Sequence, residues 1–173
     1  MLPSDAAMNF LHVHQDNDQG AVASYGPVVF VVWRQHVVAN FDVIDQAIDE
    51  LVAREGAGRR LFYVHRAPAG ALQVRNDPSV LARATVHFDR HDPHFAASAV
   101  AIESTGFGAT IVRSVSAGVM LARRSPVRTE LFKDVRMGIR WLADCGRTIN
   151  AFDADDLIAG LDAHALITPT VAC

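Results

Sequence analysis

The chain has 173 residues, half of them hydrophobic and a fifth charged, with a formal net charge of -3. This length and composition predict one folded domain with its own core, and they exclude a disordered chain. The small negative charge argues against a protein that binds nucleic acid, and no apolar run reaches the length of a membrane span.

Two features predict the compartment. Cys145 and Cys173 have neither metal-binding nor redox spacing, so reduced thiols are expected. The first ten residues, MLPSDAAMNF, contain no basic start followed by an apolar stretch, so no export signal is expected. Both features favour a cytoplasmic protein without an integral membrane segment.

The N-terminal region predicts a hairpin. Residues 9–14 alternate as a short strand does, and the turn-forming run QDNDQG follows them. Residues 21–38 are rich in valine and aromatic side chains, which favours a second, longer strand. Gly26 and Pro27 fall near the start of that strand, where a proline disturbs a sheet least.

A first helix follows the hairpin. Phe41 and Ile48 mark its inner face at helical spacing, and Asp45 belongs to the set of acidic residues on its solvent side. Asn40 or Asp42 would cap the N-terminus of this helix, because short polar side chains accept hydrogen bonds from the first turn.

The remaining segments alternate between strand and helix. A helix over residues 78–92 would turn Leu81, Ala84 and Phe88 inward, and Asp134 and Asp153 would cap the last two helices. The order predicts an α/β fold, with a mixed, mainly parallel sheet that has an antiparallel N-terminal hairpin edge and is covered by helices. The predicted strands after the hairpin are 59–66, 96–104 and 128–132, the later helices are 105–124, 135–145 and 154–165, and the central strands include 28–33, 61–65 and 98–103.

This order of elements resembles the STAS domain, the fold of anti-sigma-factor antagonists, and the related SpoIIAA-like group, over roughly residues 21–144. The run ELFKDVRMGIRWLAD is similar to the family's short last strand and closing helix, and AVAIESTGFGATIVRSV to its strand, turn and small-residue-rich helix. The resemblance implies one STAS-like domain over residues 1–146, followed by a C-terminal helical extension and tail over 147–173. It also implies a scaffold that is used for contacts between proteins.

The family's regulatory motif is absent from the corresponding loop. That motif is an Asp-Ser-Ser/Thr-Gly run in which a hydroxyl is phosphorylated, whereas this loop is APAGALQVRNDPSV. Ser79 is its only hydroxyl and would lie in the first turn of a helix. Ser79 is therefore the one candidate phosphorylation site, on a scaffold that departs from the family's usual switch.

The run HFDRHDPHF contains His87, His91 and His94. In a helix, His87 and His91 are four residues apart and share a face, as zinc ligands do, and His94 would add a ligand. However, a third ligand from elsewhere in the chain is not evident, and Phe88 stands where metalloprotease helices carry a glutamate. A solvated helix end explains the run more simply, so no metal site is predicted.

No catalytic residue and no cofactor are predicted. The sequence lacks a nucleophile elbow, a catalytic cysteine signature and a phosphate-binding loop. Small-molecule or lipid binding is an alternative function, because SpoIIAA-like domains share an architecture with lipid-binding Sec14-like proteins, and a His-based metal-dependent enzyme is another. A ligand cavity would be lined by residues that equally fill a core, namely Phe107, Ile111, Val115 and Met120.

The sequence thus favours a non-enzymatic regulatory or scaffolding module that acts by protein–protein interaction and associates with itself, with a homodimer as the commonest outcome. One candidate contact is the N-terminal hairpin, whose outer strand lies at a sheet edge or is covered by a partner. The other is an apolar stripe that must be buried against its own domain or a second chain, formed by Leu157, Ile158, Leu161 and Leu166.

Overall fold

Six strands form one mixed sheet in which neighbours in space are also neighbours in the sequence. The computed structural model describes residues 10–35, 37–56, 58–68, 78–103 and 125–167. The strands are β1 (His12–Asp16), β2 (Gly20–Tyr25), β3 (Val28–Trp33), β4 (Leu61–Ala67), β5 (Phe95–Ile102) and β6 (Arg128–Phe132). They lie in the order β1-β2-β3-β4-β5-β6, antiparallel from β1 to β3 and parallel from β3 to β6. The predicted α/β class and mixed sheet with an antiparallel N-terminal edge are confirmed.

Four helices cover the sheet in the described residues. They are α1 (Val38–Glu55), α2 (Pro78–His91), α3 (Val135–Gly146) and α4 (Ala154–Ala163), and a short 3-10 turn, Asp92–His94, follows α2. Side chains of α1 and α2 pack on one face of the sheet, and those of α3 and α4 on the other. The helix predicted over 105–124 lies outside the described residues. Within the described ranges, none of the helices combines the length and the apolar character that crossing a membrane requires.

The N-terminal region contains one more strand than predicted. Residues 21–38 do not form a single strand, because Gly26 and Pro27 make a turn that ends β2 and begins β3. Gly26 has a φ of 50°, in the left-handed region that glycine adopts without a steric penalty. As a result β2 lies inside the sheet, where all six of its residues are buried, and β1 is the edge strand.

The central strands are buried on both faces. Every residue of β3 and β4 is buried. In β3, Val29 and Val31 belong to the core under α1 and α2. The alternate residues Val28, Phe30 and Val32 belong to the core under α3 and α4. Such continuous apolar runs are typical of strands covered by helices on both sides, and the three predicted central strands correspond to β3, β4 and β5.

The C-terminal segment packs into the core under α3 and α4. Its four predicted stripe residues are at most 8% exposed, and they are Leu157, Ile158, Leu161 and Leu166. They share one cluster with Ile139 and Leu142 of α3, so this core crosses the boundary predicted after residue 146. Buried Arg66 of β4 also donates a hydrogen bond of 2.7 Å to the carbonyl of Leu166. The segment up to residue 167 is therefore held by the same sheet as the rest of the chain.

The helix ends follow the sequence signals in two of three cases. Asp134 and Asp153 accept hydrogen bonds from backbone N–H groups in the first turns of α3 and α4, as predicted. By contrast, α1 begins at Val38 without a side-chain cap. Asn40, one of its two predicted caps, is buried and donates to the carbonyl of Gln19, which ties α1 to the first hairpin.

Candidate functional site

A buried cluster of one carboxylate and two imidazoles joins α1 to α2. The Oδ1 atom of Asp45 lies 2.5 Å from Nδ1 of His87 and 3.0 Å from Nε2 of His91. Asp45 is 7% exposed, His87 0% and His91 1%. Among the described residues, this is the only group of three potential metal ligands whose donor atoms all lie within 4.8 Å of one another.

Helix geometry explains why these three side chains meet. His87 and His91 are one turn apart on α2 and therefore share a face. Asp45 lies four residues after Phe41 and three before Ile48, so it belongs to the buried face of α1. Because α1 and α2 pack on the same face of the sheet, the carboxylate of one helix meets the imidazoles of the other.

Two arginines offset the charge of the carboxylate. Arg83, one turn before His87, donates a hydrogen bond of 2.6 Å to Oδ2 of Asp45. Arg90 lies 3.7 Å from the same oxygen and donates to Asp49. Burial alone would raise the pKa of Asp45, but hydrogen bonds from Arg83 and His87 outweigh burial and hold that pKa below its usual value. Asp45 is therefore an ionised carboxylate with both oxygens engaged.

The two histidines are neutral at neutral pH. Burial is the largest influence on His87 and lowers its pKa to about 4 in spite of the adjacent carboxylate, and burial also lowers the pKa of His91. A neutral His87 that donates from Nδ1 to Asp45 has Nε2 free to accept, and the hydroxyl of Tyr63 lies 3.3 Å from Nε2. Burial raises the pKa of Tyr63 well above its usual value, so this hydroxyl keeps its proton.

One nitrogen of the cluster has no hydrogen-bond partner among the described residues. The Nε2 atom of His91 faces Asp45, whereas its Nδ1 atom is buried and, among the described residues, makes no hydrogen bond. Leaving a buried polar atom unpaired costs about 1–3 kcal/mol, so such atoms are uncommon. Hydrogen bonding among the described residues is thus incomplete at His91. Two imidazoles and a carboxylate are also a donor set that can hold a divalent metal ion.

Tyr63 also lines a small cavity beside the cluster. The cavity lies among β4, β5, β6 and the end of α2, and its volume is about 60 Å³. At its wall, Ser125 donates a hydrogen bond of 2.6 Å to Asp92. A volume of this size holds a few water molecules and is too small for an acyl chain.

The structure corrects the interpretation of the histidine run. His87 and His91 do not lie at a solvated helix end but are buried between α1 and α2, and Asp45, predicted on the solvent side of α1, is buried with them. Leu81 was predicted to point inward but is 67% exposed, because α2 turns the face with His87 and His91 toward α1. His94 lies in the 3-10 turn and is only partly buried.

The other predicted site residues have different outcomes. Ser79 lies in the first turn of α2, where the sequence placed it, and its phosphorylation stays a prediction. The C-terminal stripe is buried against its own domain, which is the first of the two alternatives, and it consists of Leu157, Ile158, Leu161 and Leu166. The proposed ligand-binding residues lie outside the described residues, and they are Phe107, Ile111, Val115 and Met120.

Sequence reasoning missed Asp45 and Tyr63. A signal for Asp45 exists, since its spacing from Phe41 and Ile48 places it on the apolar face of α1. No comparable signal marks Tyr63, because an aromatic residue in a buried strand is ordinary core composition.

No family model, curated protein or solved structure matches this chain. The resemblance to the STAS domain therefore stays a prediction that rests on the residues of the sequence.

Acid should destabilise the metal-free protein. The pKa of His87 is about 4 in the folded chain and 6.5 without the fold, so the unfolded chain takes up a proton first as the pH falls. The stability that comes from keeping His87 neutral is complete above pH 6.5 and is lost as the pH falls from 6.5 toward 4. The expected loss in the free energy of unfolding is at most about 3 kcal/mol, and urea unfolding at several pH values with a chelator present measures it.

Two variants locate the origin of this pH dependence. His87→Gln should remove most of it, whereas His94→Gln, outside the cluster, should leave it unchanged. A wild-type stability that does not change across this pH window would show that His87 is not held in a neutral form.

Proposed function

We propose that this chain is a non-enzymatic regulatory or scaffolding module that acts through protein–protein interaction, and that it forms a homodimer through the outer edge of β6. Among the described strands β6 pairs only with β5, so its other edge presents backbone groups without strand partners. An open edge of this kind is a template for an added strand. The resemblance to the STAS domain, a scaffold for protein contacts, supports the same function.

The observation that carries the proposal is the β6–α3 surface, which we define as Arg128, Phe132, Met137 and Trp141. The rings of Phe132 and Trp141 pack with centroids 5.6 Å apart, and the guanidinium of Arg128 lies 5.0 Å from the centroid of Trp141. Met137 is 59% exposed. Aromatic residues, methionine and arginine are enriched in protein interfaces. The surface therefore places interface-type side chains beside a strand edge that is unpaired among the described strands.

The other two candidate contacts are less suited to a partner. The C-terminal apolar stripe is already covered by the chain's own sheet and α3. At the opposite edge of the sheet, β1 has an irregularity between Val13 and Gln15 and ends in the acidic residue Asp16. Such an irregularity discourages the addition of a strand, so β6 is the favoured edge.

The sequence of β6 is complementary to itself. In an antiparallel pair of β6 strands centred on Thr129, Arg128 stands opposite Glu130 of the partner subunit on each side of a two-fold axis. Arg128 and Glu130 lie on one face of β6, with 3.9 Å between their charged atoms. A directly opposed pair of opposite charges contributes about 0.2–1 kcal/mol, and like charges destabilise. Two such pairs in each dimer favour this register.

A charge-swap experiment tests the proposed function. Arg128→Glu alone and Glu130→Arg alone put like charges opposite each other at both pairs, so each should raise the dimer dissociation constant at least about tenfold. The double variant Arg128→Glu with Glu130→Arg restores opposite charges and should recover much of the association. Sedimentation velocity over a range of micromolar concentrations measures all three against the wild type.

Arg147→Glu is the matched control, because it changes the net charge by the same amount as Arg128→Glu, at an exposed side chain beyond α3. It should leave the dissociation constant unchanged. If the single and double variants associate as the wild type does, the contact is not β6. A wild-type chain that stays monomeric at high micromolar concentration contradicts self-association. If the pure protein turns over a substrate and pull-downs recover no protein partner, the proposal of a non-enzymatic interaction module is wrong.

A further inference from the structure

The buried cluster of Asp45, His87 and His91 has a chemistry that the proposed dimer contact does not use. Two imidazoles and one carboxylate are the ligands of three-residue zinc sites, which keep a fourth position for water or substrate. A third ligand from outside the histidine run, which the sequence did not reveal, is supplied by α1 through Asp45.

The distances in the cluster are close to those that an ion needs. Oδ1 of Asp45 is 2.5 Å from Nδ1 of His87 and 3.0 Å from Nε2 of His91. Around a tetrahedral zinc ion with bonds of about 2.0–2.1 Å, neighbouring ligand atoms are about 3.3 Å apart. These two distances therefore have to lengthen by less than about 1 Å for an ion to bind. All three donor atoms already lie within 4.8 Å of one another.

Neighbouring side chains hold two ligands in suitable orientations. Arg83 binds Oδ2 of Asp45, so Oδ1 remains available to an ion. The hydroxyl of Tyr63 lies at Nε2 of His87 and fixes the ring with Nδ1 toward Asp45. When Nδ1 binds an ion, the proton of this neutral ring resides on Nε2 and is donated to the oxygen of Tyr63. Such outer hydrogen bonds orient metal ligands and raise metal affinity.

The buried ring of His91 turns its Nε2 atom toward Oδ1 of Asp45, so this nitrogen is the one available to an ion. Within the described part of the chain its buried Nδ1 has no partner, so the metal-free imidazole is held by the single hydrogen bond from Nε2 to Asp45. Complete burial of a polar ring on one hydrogen bond is unfavourable. A bond from Nε2 to a divalent ion replaces this hydrogen bond by a stronger interaction, while Nδ1 keeps its proton.

We propose that Asp45, His87 and His91 bind one divalent transition-metal ion, with Zn²⁺ as the ion that best matches two imidazoles and a carboxylate, and with water in the fourth position. The ion bridges α1 and α2 on one face of the sheet. The site is independent of the β6 edge, so loss of dimerisation leaves it intact and loss of the metal leaves the dimer contact intact.

The test uses the untagged full-length chain, because a histidine tag would itself bind metal. After dialysis against a chelator, Zn²⁺ is titrated in competition with a chromogenic chelator, and the bound metal is counted by elemental analysis. We expect one Zn²⁺ per chain. Asp45→Asn and His91→Gln should each weaken binding at least about 100-fold, and Tyr63→Phe, which removes only an outer hydrogen bond, about 10–100-fold. His94→Gln is the matched control and should bind as the wild type does.

Co²⁺ provides a readout that does not depend on the variants. Bound to the wild-type chain, it should give the intense visible absorption of tetrahedral coordination, and long-range ¹H–¹⁵N spectra should show zinc-dependent shifts of two imidazoles only. Circular dichroism shows whether Asp45→Asn and His91→Gln fold. If either does not, the wild-type spectra and the zinc affinity of Tyr63→Phe test the site instead. Absence of stoichiometric Zn²⁺ in the wild type, or unchanged affinity in the folded ligand variants, overturns the proposal.

Discussion

A chain that ends at Gly146 should fail to fold. The truncation removes five side chains that are at most 8% exposed, namely Leu157, Ile158, Leu161, Leu166 and Ile167. Burial of one such side chain contributes about 1.5–3 kcal/mol, so the five together contribute roughly 7–15 kcal/mol. This sum equals the entire free energy of unfolding of a typical domain, about 5–15 kcal/mol. Circular dichroism during heating should show no cooperative transition.

A chain that ends at Ile167 is the matched control, because it keeps α4, the buried leucines and the carbonyl that accepts from Arg66. It should unfold cooperatively at nearly the same temperature as the full chain. Cooperative unfolding of the chain that ends at Gly146 would show that residues after 146 are a dispensable extension, as the domain boundary predicted from the sequence implies.

Replacing Asp45 by alanine should lower the free energy of unfolding of the metal-free protein by about 3–5 kcal/mol. The substitution removes the carboxylate that accepts from the Nδ1–H of His87 and the Nε2–H of His91. Each buried donor without a partner costs about 1–3 kcal/mol, and Arg83 loses an ion pair as well. Denaturant unfolding with a chelator present measures the loss.

Asp49→Ala is the matched control on the same helix. Asp49 pairs with Arg90 at the surface, where both side chains are about half exposed, and a pair of this kind contributes about 0–1 kcal/mol. Comparison of the two variants therefore separates the effect of losing a buried carboxylate from the effect of losing one negative charge. Equal losses for the two variants would contradict a special role for the buried cluster.

The fold could be predicted from the sequence wherever local pattern and burial agree. Residues 28–33 and 61–65 are continuous apolar runs, and they form β3 and β4 because helices cover both faces of the sheet. The turn at Gly26 was missed because valine-rich and alanine-rich sequence continues on both sides of it. Only the Gly-Pro pair marks the reversal, and such a pair is also compatible with a strand end.

The cluster could not be predicted from local pattern, because its two halves lie 42 residues apart in the sequence. An aspartate within an amphipathic helix usually faces solvent, and a histidine near a helix end is usually hydrated. Both generalisations fail where α1 packs against α2, since there a buried carboxylate accepts hydrogen bonds from two buried imidazoles. Packing between helices, and not helical periodicity alone, determines which polar residues are buried.

The C-terminal apolar stripe could also be predicted only in part. Helical periodicity predicted the apolar face of Leu157 and Leu161, and Asp153 predicted where the helix begins. Periodicity does not specify the surface that an apolar face covers, and here the surface is the chain's own sheet and α3. Because this face is covered, the proposed homodimer depends on the β6 edge.

A cross-linking measurement tests this dimer most directly. In the proposed register the two Thr129 residues stand opposite each other, with Cα atoms about 4.5–5.5 Å apart, a separation that a disulfide spans. Thr129→Cys is prepared in a chain whose native cysteines are replaced by Cys145→Ser and Cys173→Ser, with Thr148→Cys, at an exposed position after α3, as the matched control. After mild oxidation, a non-reducing gel should show a covalent dimer for Thr129→Cys and a monomer for Thr148→Cys. A monomer for Thr129→Cys, or equal cross-linking of both variants, would contradict a dimer through β6.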